Sequence, residues 1–111
     1  MKLGISPCPN DTFAFHRLIE EGGFDVVFDD VEALNRRAEK GEIDVVKVSV
    51  AAYGRLRKDY ALLRAGGAAG FGVGPLVVAR EAGGVRGRVA IPGERTTAAL
   101  LLRLLGRFDT V

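Results

Sequence analysis

The chain is predicted to be an α/β protein with a mostly parallel sheet. Three observations carry this. Short β-rich runs alternate with helix-period runs along the 111 residues. The run Val45, Val46, Val48 suits a strand buried on both faces, as parallel sheets require. A stretch with five glycines, residues 66–75, separates three strand–helix units from a further one. Two small α/β lobes joined by a strand crossover would explain that arrangement. Residues 1–75 would form one lobe, and residues 76–111 the crossover strand and the start of a second.

Residues 2–5 read as the first strand. Residues 13–21 read as a helix, with Phe15 and Ile19 at helical spacing and Gly22-Gly23 ending it. Residues 24–28 form the second strand. Asp30 then caps a helix over residues 31–40, which Gly41 stops. Residues 43–48 are the third strand, and Ser49 opens a short helix over residues 50–56. Residues 60–63, 76–79 and 88–91 are predicted as the fourth, fifth and sixth strands, with Gly83, Gly84 and Gly87 marking a turn. Pro92-Gly93-Glu94-Arg95 is an exit loop into an apolar helix that Thr96 caps and that runs to Leu105. Residues 108–111 begin another strand. The last helix is apolar almost all round, so it predicts cover on most sides. Too few residues follow it to supply that cover. The expectation is a fragment, or a chain that completes its second lobe with another copy.

Apolar residues make up 48% and charged residues 27%, ordinary values for a globular domain. The formal net charge is only +2. Arg55, Arg57 and Lys58 form the densest basic cluster, with Arg80, Arg86 and Arg88 near a later turn. No longer basic run and few aromatics accompany them, so no nucleic-acid partner is predicted. One cysteine permits no intrachain disulfide and fits a reducing compartment. No signal-peptide core and no membrane-length apolar run is visible, so the cytoplasm is the expected location.

In open parallel sheets, ligands bind beyond the carboxyl ends of the strands. Three such ends carry polar residues here. The first holds Ser6, Asn10, Asp11 and Thr12 around two stiffening prolines, Pro7 and Pro9. Asn10, Asp11 and Thr12 are all candidate helix N-caps. The second is Lys47-Val48-Ser49, and the third leads through Thr96-Thr97 into the apolar helix. Each could present hydroxyls and free N–H groups to a carboxylate. Together they predict one wall of a cleft for a small carboxylate. Asn35, a poor helix former inside a helix, is either a surface residue or a hydrogen-bonding group aimed at that cleft. Cys8 precedes a helix start, but His16 at a spacing of eight defines no dyad. A small buried cysteine and a packed or rim histidine are therefore expected. No ligand spacing predicts a metal. Gly70-x-Gly72-x-Gly74-Pro75 precedes a strand and lacks both nucleotide fingerprints. No cofactor is expected.

Ser6-Pro7-Cys8-Pro9-Asn10-Asp11-Thr12-Phe13 resembles the opening motif of the 1,4-dihydroxy-6-naphthoate synthases, menaquinone biosynthesis enzymes of the futalosine pathway. The similarity continues through residues 30–35, 47–53, 72–78 and 92–97, in order. It implies a periplasmic-binding-protein-like (type II) two-lobed fold. This chain would hold most of the start of lobe 1 and the first strand–helix unit of lobe 2. The implied activity is a lyase acting on cyclic dehypoxanthinyl futalosine without a cofactor. Asn35, Lys47, Val48, Ser49, Thr96 and Thr97 would then fall at substrate-contacting positions. The proposed base of that family is a histidine in the second lobe, which His16 does not match. The resemblance thus implies binding groups without the catalytic base. Three other readings stand beside it: a non-catalytic binding module for a small carboxylate, the related chorismate dehydratases, and a solute-binding protein, against which the missing signal peptide argues.

Overall fold

A computed structural model describes residues 1–80, 83, 85 and 87–111. Gly84 and Arg86, of the predicted turn and the second basic cluster, lie outside the described residues. The first sheet contains β1 (Lys2–Ile5), β2 (Asp25–Phe28) and β3 (Val45–Val46), in the order β2-β1-β3. All pairs are parallel: Leu3 lies opposite Val26 on one side and Val45 on the other. Parallel neighbours need crossovers, and helices supply them. α1 (Pro9–Ala14) and α2 (His16–Glu21) connect β1 to β2, and α3 (Val31–Glu39) connects β2 to β3. α4 (Val50–Leu56) follows. A second parallel sheet pairs β4 (Arg88–Val89) with β5 (Asp109–Thr110) around α5 (Thr97–Leu105). The predicted α/β class with a parallel sheet is therefore found. No helix among the described residues is long and apolar enough to cross a membrane.

The core forms where α3 lies on β1. Leu3, Ile5, Leu34 and Ile43 are fully buried. Gly4 faces this layer: a Cβ there would stand 2.8 Å from Ile43 Cδ1 and 3.0 Å from Leu34 Cδ2. Gly4→Ala is expected to cost about 1–3 kcal/mol through overpacking, read from a denaturant midpoint that shifts down at constant slope. An unchanged midpoint would refute this packing argument. Ala38, Ala52 and Leu56 join α3 to α4, with Val46, Val48 and Tyr60 against them. Asp30 caps α3 by accepting from the Ala33 N–H at 2.9 Å, and Gly41 takes φ +68° just beyond its end. Thr96 caps α5 in the same way, through the Ala99 N–H at 3.2 Å.

Several boundaries differ from the sequence expectation. The predicted helix over residues 13–21 is two short helices, broken at Phe15, and the first begins at Pro9. Proline suits a first helical position, where its missing N–H is no loss. Cys8 consequently holds the N-cap position, and Asn10, Asp11 and Thr12 lie inside the helix rather than capping it. The third strand shrinks to Val45–Val46, although the Lys47 N–H still donates to the Gly4 carbonyl at 2.9 Å. Residues 60–63 form no strand. The Tyr60 N–H bonds the Leu56 carbonyl, extending the last turn of α4, and its hydroxyl donates to the Ile43 carbonyl at 2.7 Å. Residues 76–79 form no strand either. Leu76 and Val78 are exposed, and an apolar β-branched run becomes a strand only where a neighbour completes its ladder.

Of α5, only Ala99 and Leu102 are buried, while Leu104 and Leu105 are exposed. An open trough of about 1070 Å³ runs between α5, residues 75–80 and residues 88–92.

Candidate functional site

The site begins where β1 ends. Two prolines hold the turn into α1, and α1 carries Asp11 back beneath it. The Asp11 side chain is only 2% exposed. Its carboxylate accepts from the Ser6 hydroxyl at 2.6 Å, from the Ser6 N–H at 3.1 Å and from the Lys47 ammonium. Burial alone would push the Asp11 carboxyl up. The hydrogen bonds from Lys47 and Ser6, with the Lys47 charge, outweigh it and hold the carboxyl below its usual range. Thr12 turns its hydroxyl back to the Cys8 and Pro9 carbonyls, and Asn10 is exposed. Of the four residues predicted for this wall, Ser6 and Asp11 are tied into the network. Asn10 has no side-chain hydrogen bond among the described residues, and Thr12 bonds only its own turn.

Lys47, at the carboxyl end of β3, comes next. Its ammonium meets Asp11, while its side chain stays about one-third exposed at 32%. Val48 packs toward the α3–α4 core. Ser49 is half-buried and is held by Asn35. Asn35 is fully buried on α3, accepting from the Ser49 N–H at 3.0 Å and donating to Ser49 Oγ at 3.2 Å. The side chain of Ser49, the residue before α4, therefore serves this pair and makes no cap bond.

The third segment is held from an unexpected direction. Glu32, one turn before Asn35 on α3, is almost buried. It accepts from the Arg95 N–H at 3.0 Å and from the Arg95 guanidinium at 2.9 Å. Glu39 takes the Arg95 Nε at 2.6 Å. Burial would raise the Glu32 carboxyl. The Arg95 backbone and side chain, with Arg36, hold it low instead. Gly93 passes so close that a Cβ would stand 2.5 Å from Glu32 Oε2. The loop thus fastened delivers Thr96 and Thr97. The Thr96 hydroxyl is fully engaged, donating to the Gly93 carbonyl at 2.7 Å and capping α5. Thr97 Oγ1 accepts from the Ala51 N–H at 3.3 Å, bridging to α4.

Ser6, Asp11, Lys47, Ser49, Asn35 and Thr97 therefore form one connected rim along the carboxyl edge of the first sheet. It offers one ammonium and two partly exposed hydroxyls, a donor-rich surface suited to an anionic oxygen group. Glu32, Gly93 and Arg95 were not among the predicted site residues. The signal available was the acidic Glu32 in an apolar-faced helix and a glycine before an arginine, neither specific alone.

Two expectations are corrected. Cys8 is exposed rather than buried, because it sits at the outer corner of the β1–α1 turn. His16 is neither core nor rim: its side chain is 64% exposed and pairs with Glu20 one turn along α2 at 3.2 Å. Among the described residues no group of three or more His, Cys, Asp or Glu could hold a metal ion.

Comparison with known proteins places this geometry in context. The family model described as menaquinone biosynthesis matches residues 1–111. A protein of Thermus thermophilus named 1,4-dihydroxy-6-naphtoate synthase is 50% identical, over 94% of this chain and 41% of its own length. A Streptomyces coelicolor protein of the same name is 49% identical, over 100% of this chain and 42% of its own length. This chain thus spans about two-fifths of these curated relatives. The crystal structure of protein AF1704 from Archaeoglobus fulgidus superimposes with a TM-score of 0.93 at 36% identity, covering 99% of this chain and 44% of that one.

Proposed function

Because the chain belongs to the menaquinone biosynthesis family, we propose that it carries the substrate-binding part of a 1,4-dihydroxy-6-naphthoate synthase. The reaction is the lyase step that converts cyclic dehypoxanthinyl futalosine to the dihydroxynaphthoate. Residues 1–75 belong to the first lobe of a two-lobed, periplasmic-binding-protein-like fold, and residues 76–111 to the crossover and the start of the second. Asn35, Lys47, Val48, Ser49, Thr96 and Thr97 contribute to the substrate-binding wall. Proton transfer falls to a histidine of the second lobe.

One observation supports this reading above the others. Three chain segments far apart in sequence meet as one rim through Lys47–Asp11, Asn35–Ser49 and Ala51–Thr97 contacts. An ammonium and hydroxyls at that rim match the carboxylate that substrate and product share. The rim supplies no general base. Asp11 is held ionised by Lys47 and faces inward, and His16 lies on the exposed face of α2. That observation also favours a second reading, a non-catalytic module that binds a small carboxylate.

The test is an anaerobic incubation of the purified 111-residue chain with cyclic dehypoxanthinyl futalosine, followed by chromatography of the products. Binding of 1,4-dihydroxy-6-naphthoate without turnover is expected. Turnover by this chain alone would refute the division of labour. Failure to bind the naphthoate at millimolar concentration would refute both readings.

A further inference from the structure

The contact between Asn35 and Ser49 fixes more than position. The Ser49 backbone N–H can only donate, and it reaches Asn35 Oδ1 at 3.0 Å. That end of the amide is therefore its carbonyl oxygen, and the opposite end is the NH2 group. Nδ2 lies 3.2 Å from Ser49 Oγ, and an amide NH2 also only donates. Ser49 Oγ is thereby made an acceptor toward Asn35. Its own proton takes no part in the contact. Asn35 is fully buried, so no water competes to turn the amide over.

Thr97 is arranged in the same sense. The Ala51 N–H donates to Thr97 Oγ1 at 3.3 Å, occupying an acceptor site and leaving the hydroxyl proton free. Ser49 and Thr97 are both half-buried, and neither hydroxyl proton is donated to a protein acceptor among the described residues. Two hydroxyls beside the start of α4 therefore share one polarity: each accepts from the protein and keeps its proton for another partner.

Resting on the reading under Proposed function, we infer that Asn35 is a positioning residue that sets Ser49, alongside Thr97, as a hydrogen-bond donor and so selects an anionic carboxylate ligand. Asn35 itself does not touch the ligand. It acts through the serine, and its two ends could not exchange roles without losing the bond to the Ser49 backbone.

Asn35→Asp tests this at almost constant shape. The carboxylate still accepts from the Ser49 N–H. Its second oxygen, however, now takes the Ser49 proton, so the hydroxyl presents lone pairs to the ligand. The measurement is an anaerobic NMR titration of the chain with 1,4-dihydroxy-6-naphthoate and with 1,4-dihydroxynaphthalene, which lacks the carboxylate. The wild-type chain is expected to prefer the naphthoate by about tenfold, the worth of a charge-assisted hydrogen bond. Asn35→Asp and Ser49→Ala should each abolish that preference, read as the ratio of the two affinities within each variant. Because Asn35→Asp also adds a negative charge, its loss of preference counts only together with that of Ser49→Ala. A merely structural role would weaken both compounds alike. If Asn35→Asp does not fold, Ser49→Ala decides alone: it keeps the backbone N–H bond to Asn35 Oδ1 and loses only the Oγ acceptor of Asn35 Nδ2. Retention of the preference in Ser49→Ala, or in a folded Asn35→Asp, overturns this inference and leaves the proposed function standing. A wild-type chain that binds both compounds equally also overturns it. One that binds neither removes the proposed function as well.

Discussion

Asp11→Ala is expected to destabilise the chain by about 3 kcal/mol, the scale of losing one partner of a buried ion pair, and to lower its melting temperature by roughly 10–20 °C. Three contacts vanish together. The Ser6 hydroxyl and N–H lose their acceptor, and the Lys47 ammonium loses its counter-charge. Lys47 is about one-third exposed, so water recovers part of its solvation and keeps the loss from being larger. The pH dependence gives the argument a sign. The native carboxyl titrates below its ordinary value, so its contribution is complete above about pH 4. It disappears as pH falls through the native titration. The gap in melting temperature between wild type and Asp11→Ala should therefore be widest near neutrality and close on acidification. A gap that widened toward low pH would mean that Asp11 is not held ionised by Lys47.

Gly93→Ala is expected to have an effect of similar size from a different cause. Gly93 has φ +140°, in a region that side chains disfavour, and its Cβ would stand 2.5 Å from Glu32 Cβ, Cγ and Oε2. Either the loop or the Glu32 carboxylate must move. If the carboxylate moves, the Arg95 N–H and guanidinium lose their partner. We expect about 2–4 kcal/mol of lost stability, the sum of overpacking and backbone strain. Gly54→Ala is the control. Gly54 lies within α4 with nothing within 4 Å of its would-be Cβ, so alanine there should be neutral or stabilising by up to about 1 kcal/mol. Circular-dichroism melts of the two variants make the comparison. If Gly93→Ala melted with the wild type, the close approach of this loop to α3 would be disproved.

What could be read in the sequence was local. Asp30 and Thr96 announce the starts of α3 and α5, because a cap and its helix lie within four residues. Gly41 announces where α3 stops. Residues 60–63 and 76–79 carry strand-forming residues, yet strand formation depends on a ladder partner anywhere in the chain, and propensity does not name it. The same limit governs the site. Ser6, Lys47, Ser49 and Thr97 were visible as polar residues at the ends of predicted strands. Asp11 stands among the predicted wall residues, but its burial against a lysine 36 positions away has no local signal. The grip of Glu32 on Arg95 spans 63 positions, and nothing local pairs the two.

The strand order of the first sheet has a consequence for synthesis at the ribosome. β1 is the central strand, yet both of its neighbours follow it in the chain. A nascent chain exposes Leu3 and Ile5 until β2 and then β3 have been made. At about 5–20 residues per second, the wait from Ile5 to Val46 lasts on the order of 2–8 s. During that interval a short apolar segment has no sheet to join and is open to aggregation.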